Sequence, residues 1–98
     1  MTKAYVIGQI TVTSPEGYAF YASRVPATIE AAGGKYLVRG GHTTQLEGHS
    51  QGERHVVLEF PSRTAAEAWY NGDAYQVILP HRLKNAIGSL MIVDGYGA

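Results

Sequence analysis

Arg39 and four histidines are the side chains best equipped for chemistry in this chain, and Arg39 has an odd setting. In "YLVRGGHT", residues 36–43, Tyr36, Leu37 and Val38 suit a strand, but Arg39 is followed by Gly40, Gly41 and His42. A glycine pair inside a strand weakens pairing and marks a bulge or a close approach. A regular hairpin across "EGHSQGE" sets Gly40 opposite Glu59, and a one-residue bulge at Gly40-Gly41 would bring Arg39 opposite Glu59 instead. The favoured reading is therefore a structural Arg39–Glu59 ion pair, because buried charges are usually paired. The functional reading makes Arg39 an anchor for a substrate carboxylate. A solvated arginine is the third.

His42, just after the glycines, and His81, beside Arg82, are the candidates for proton transfer near neutral pH. The plainer reading of each is a hydrogen-bonded or exposed side chain. His49 lies in a polar turn and reads as solvated. His55 and Glu59 share a strand face but lie about 13 Å apart, too far for a dyad. No HxH or HExxH spacing occurs, so no metal site is expected. "AWYNGDAY" supplies Trp69 and Tyr75. Trp69 reads first as the anchor of its helix on the sheet. Together with Tyr21 and Tyr75 it could also wall a substrate-binding site around Arg39. GxSxG, P-loop and Rossmann signatures are missing, so no cofactor is expected.

The elements that position these groups follow from periodicity. "AYVIGQITV", residues 4–12, is β-branched and aromatic, with Ala4, Val6, Gly8 and Ile10 on one face and Tyr5, Ile7, Gln9 and Thr11 on the other. Ser14 caps a helix that Pro15 begins, and Tyr18, Tyr21, Ala22, Val25, Ile29 and Ala32 form its apolar stripe. Pro26 should kink that helix, and Gly33 or Gly34 should end it in a left-handed cap. Residues 35–46 read as a second strand and 54–60 as a third. Ser62 caps a helix carrying Trp69, Asp73 with Gln76 reads as a capping-box restart, and a helical stretch disturbed at Pro80 leads to a last strand over residues 88–95.

The order β-α-β-β-α-β is the ferredoxin-like split βαβ arrangement, an α+β fold in one domain. Strands one and four carry apolar residues on both faces, and strand three has Val56, Leu58 and Phe60 on one face and His55, Val57 and Glu59 on the other, yet helices cover one face only. A soluble monomer rarely exposes such a surface, so a second copy packed sheet to sheet is expected.

Composition narrows the function classes. The chain has 98 residues, 45% hydrophobic and only 16% charged, which bounds it to one folded domain. Its 8 basic and 8 acidic residues cancel, and no basic stripe appears, so neither nucleic acid nor an anionic membrane is an expected partner. The absence of cysteine excludes disulfides and thiolate metal sites and suits a cytoplasmic location.

"KAYVIGQITV", "ATIEAAGGKYLVRGG", "LEFPSRTAAEAWYNGDAYQ" and "HRLKNA" together resemble the bacterial domain-of-unknown-function 1330 family, in the dimeric α/β-barrel superfamily. The resemblance implies a ferredoxin-like fold and a homodimeric barrel. It implies no particular reaction, because the superfamily holds cofactor-independent monooxygenases, heme-degrading oxygenases, isomerases and simple binders. Heme-degrading relatives carry a catalytic tryptophan in a stretch like that around Trp69. Their histidine ten residues on is Leu79 here, and their first-strand asparagine is matched only by Gln9. The expectation is thus a homodimeric, non-catalytic module that binds a small, partly apolar or carboxylate-bearing molecule, or that serves assembly. The alternative is a cofactor-independent enzyme in which Arg39 orients the substrate and His42 or His81 moves a proton.

Overall fold

β-branched and aromatic runs become strands, and the capped apolar stripes become helices. The computed structural model, which describes residues 2–97, orders them as β1 (Ala4–Val12), α1 (Pro15–Ala31), β2 (Lys35–Arg39), β3 (Arg54–Phe60), α2 (Arg63–Asn71), α3 (Asp73–Gln76), α4 (Leu79–Asn85) and β4 (Ala86–Asp94). The strands make one antiparallel sheet in the order β2-β3-β1-β4. This is the expected α+β ferredoxin-like fold. Among the described residues no helix is long and apolar enough to cross a membrane.

The alternation in β1 sends Ala4, Val6 and Ile10 under the helices, where Leu58 and Phe60 of β3 join them. From above, α1 contributes Tyr21, Val25 and Ile29, α2 contributes Ala66 and Trp69, and Tyr75, Ile78 and Leu79 close the layer. Each such large apolar side chain stabilises the fold by about 1.5–3 kcal/mol on burial. The molecule is a slab 38 × 36 × 16 Å, and its thin dimension is one sheet plus one helical layer.

Helix ends follow the expected chemistry in part. The Ser62 Oγ accepts a hydrogen bond from the Ala65 N–H (3.1 Å). Ser14 holds the N-cap position of α1, but its side chain makes no capping bond. Gly33 takes the left-handed conformation at φ +84°, which lets the Gly34 N–H reach the Ile29 carbonyl at 2.9 Å. The capping box expected at Asp73 and Gln76 does not form. Gly72 is the N-cap of α3, and the Gln76 side-chain amide instead donates to the Tyr70 carbonyl.

Two differences bear on the site. The second strand stops at Arg39 rather than continuing to residue 46, because Gly40 takes φ +68°, a left-handed conformation no strand contains. The strand irregularity lies at Leu37, two residues before Arg39, and not at Gly40-Gly41. Tyr36 pairs with Leu58 and Val38 with Val57, so one residue is looped out between them.

Candidate functional site

The bulge decides where Arg39 points. With Leu37 extra, Val38 falls on the outer face beside Val57, and Arg39 falls opposite Val56 on the helix-covered face. Glu59 is paired across the ladder with Lys35 instead. Its carboxylate meets Lys35 and Lys3 at 3.5 and 3.3 Å, so the expected Arg39–Glu59 pair does not exist. Arg39 reaches α1, where an Nη donates to the Ala22 carbonyl at 2.8 Å, and its guanidinium lies 4.7 Å from the Tyr36 ring centre.

Pro26 explains why that carbonyl is free. Ala22 C=O would normally accept from the N–H four residues on, and that residue is Pro26, which has none. Helix α1 nevertheless runs unbroken from Pro15 to Ala31, with the arginine supplying the missing donor.

Arg39, Arg54 and Arg82 all line one crevice between α1 and the sheet. Tyr18, Tyr21, Tyr36 and Trp69 share the lining with aliphatic groups including Val25, Ile29 and Leu58. The crevice encloses about 470 Å³ counted out to its open mouth, with only about 40 Å³ of room in its narrow interior, so it is a slot. Arg39 is exposed at the mouth, Arg54 is half-buried and Arg82 is buried. Gly40 makes room for Arg54: a Cβ there would stand 2.5 Å from an Arg54 Nη.

Among the described residues no acidic side chain lines the slot. Among the described residues every side-chain ion pair involves Lys3, Lys35 or Arg63, and none involves these three arginines. The Arg54 Nε is buried without a partner. Arg82 has only a neutral contact, its Nε–H donating to the Tyr75 hydroxyl at 3.3 Å. Burial lowers the Arg82 pKa, but the neighbouring phenols of Tyr75 and Tyr21 raise it by more, and the group stays charged.

Tyr21 and Tyr75 stand behind one another, their hydroxyl oxygens 2.8 Å apart. Burial pushes the Tyr21 phenol well above the ordinary tyrosine range, and Tyr75 beside it pushes the same way. Trp69 is buried against Phe60 and Tyr75 with ring centres 5.5 and 4.3 Å away, and its indole N–H donates to the Thr28 hydroxyl at 3.0 Å. It anchors α2 to the core and also forms part of the slot.

Four of the six sequence-derived candidates therefore gather: Arg39, Tyr21 and Trp69 in the lining, and Tyr75 directly behind Tyr21. The two histidines do not join them. His42 is exposed in the segment after β2, and His81 packs on Phe20 at 4.1 Å between ring centres. Sequence reasoning missed Arg54 and Arg82. Their signal was available, since Arg54 shares the alternation of the inward residues Val56, Leu58 and Phe60, and Arg82 follows the buried Leu79 at helical spacing. A wider groove, about 690 Å³ counted out to its open mouth, runs between α2 and β4. Its arginine, Arg63, is already held by Asp94 at 2.8 Å and Glu67 at 3.6 Å, so it lacks the unpaired charge of the slot.

Solved structures share this fold. A protein of unknown function from Rhodopseudomonas palustris, RPA0582, superposes with a TM-score of 0.74 at 18% identity, over 99% of this chain and 83% of that one. SnoaB, a cofactor-independent oxygenase from Streptomyces nogalater, superposes with a TM-score of 0.65 at 9% identity, over 100% and 97%. A conserved protein from Methanosarcina mazei gives 0.54 at 17% identity, over 96% and 91%. No curated protein matches the chain. The family model described as "Domain of unknown function (DUF1330)" matches residues 3–96, and the chain belongs to that family.

Proposed function

We propose that the slot binds a small, flat, partly apolar anion of the carboxylate class, and that the protein is a cytoplasmic homodimeric binding module. One observation carries the reading: three guanidinium groups line one crevice in which no carboxylate stands among the described residues. Arg82 is buried and faces no counter-charge, which costs several kcal/mol, and an anion in the slot would supply that counter-charge to it and to the two more exposed guanidinium groups. Guanidinium groups suit carboxylates because their planar donors match two oxygens at once. The tyrosine and tryptophan faces suit the apolar remainder.

The homodimer rests on the outer sheet face. Val38, Val57, Ile7 and Met91 stand in one row across all four strands. Met91 is 54% exposed and Val93 on the same face 41%. A second copy laid on this face would bury the row.

Thermal denaturation against a panel of aromatic carboxylates tests the ligand class. Benzoate or phenylacetate should raise the melting temperature, and replacing Arg82 by Gln should remove most of the shift. An equal response to benzyl alcohol would contradict the reading.

SnoaB's description as a cofactor-independent oxygenase, together with the shared fold, favours a second reading as an enzyme without cofactor. There Arg39 orients the substrate, and His42 serves if the segment over residues 40–53 closes on the mouth. Oxygen uptake in the presence of a bound carboxylate would favour that reading, and none is expected from a binding module.

A further inference from the structure

Tyr75 is fully buried, and its hydroxyl oxygen has two neighbours, the Arg82 Nε–H at 3.3 Å and the Tyr21 hydroxyl at 2.8 Å. Arginine only donates, whereas a phenol donates one proton and also accepts. If Tyr21 donated to Tyr75, the Tyr75 proton would be left without an acceptor inside the core. A buried donor left unmet costs about 1–3 kcal/mol. Either hydroxyl could donate across the 2.8 Å contact, and the order that leaves the unmet proton at the slot rather than in the closed core is Arg82 donating to Tyr75 and Tyr75 donating to Tyr21. The Tyr21 proton then has no acceptor among the described residues, and Tyr21 lines the slot whereas Tyr75 does not.

We propose that Arg82, Tyr75 and Tyr21 form a one-way hydrogen-bond relay that presents the Tyr21 hydroxyl proton to the slot and selects a ligand oxyanion over a neutral polar group. The proposal rests on the anion-binding reading above and adds the group that discriminates. Arg39 and Arg54 supply charge, which any anion satisfies. Tyr21 supplies a single directed donor, polarised by the cation two bonds behind it. Burial holds the Tyr21 phenol protonated across the physiological range, so it remains a donor. Tyr21 touches the ligand. Tyr75 is a positioning residue that acts through Tyr21.

The test is isothermal titration of the full chain with benzoate and with benzamide, which keeps the ring and shape but lacks the charge. Tyr21→Phe should lower the preference for benzoate over benzamide by about tenfold, the difference between a hydrogen bond to a charged acceptor and one to a neutral acceptor. Tyr75→Phe should lower the same preference by about threefold or more, because the relay is cut behind Tyr21. A merely structural role for Tyr75 would weaken both ligands alike. If benzoate binds and Tyr21→Phe keeps the wild-type preference, the relay is overturned while the anion-binding slot stands. If the wild-type chain binds none of benzoate, phenylacetate and phenyl phosphate, both fail. Should Tyr75→Phe not fold, Tyr21→Phe decides alone.

Discussion

In the proposed binding role, Arg54 sets ligand affinity against stability at one residue. Its Nε is buried with no hydrogen-bond partner, the residue is half-buried, and no acidic side chain among the described residues pairs with it. Methionine has similar length and no charge. Arg54→Met should therefore raise the stability of the ligand-free protein by about 1–2 kcal/mol in urea denaturation, while benzoate affinity falls at least about tenfold. Loss of stability would mean that the guanidinium is already satisfied. Tyr21 gives a pH test. Its folded pKa is raised by burial, so its contribution to stability is complete below the unfolded tyrosine value of about 10 and is lost as pH rises above it. Tyr21→Phe should flatten the alkaline limb of the stability profile. Arg39 drew notice in the sequence because two glycines follow it. Arg54 and Arg82 did not, since a charge near the end of an element is ordinarily solvated.

At the scale of elements, the slot depends on two local irregularities that answer each other. The extra residue at Leu37 turns Arg39 under α1, and Pro26 leaves the Ala22 carbonyl open to receive it. Pro26→Ala restores an ordinary helical N–H to that carbonyl. The change should stabilise the chain by about 1 kcal/mol or more by helix propensity, and it should release Arg39 and weaken carboxylate binding. Unchanged binding would show that Arg39 does not need this hold.

The bounds of β1 and β3 were legible because period-two alternation runs unbroken through them. The bulge was not. Leu37 is an ordinary strand residue, whereas Gly40-Gly41 carried the usual mark of an irregularity. Gly40 serves another end, since its left-handed turn ends β2 and its missing side chain admits Arg54. The Arg39–Glu59 pair failed with the register, and Lys35 took Glu59.

For the whole molecule, a slab with helices on one side leaves the row through Ile7 and Met91 bare. Light scattering at micromolar concentration should give twice the 10.6 kDa chain mass. Met91→Glu should shift the mass toward the monomer by placing a charge in the apolar row. A wild-type monomer would contradict the packing argument. Trp69 joins the core to the slot, and Trp69→Ala should cost about 3–5 kcal/mol, as deletion of a large buried ring does. The central claim is that the three arginines await an anion that comes from outside the chain. A crystal structure grown with benzoate tests it most directly. The ring should lie between Tyr36 and Trp69, with the carboxylate within hydrogen-bond distance of Arg82 or Arg54 and of the Tyr21 hydroxyl. An empty slot, with the arginines paired to carboxylates of a partner subunit, would contradict it.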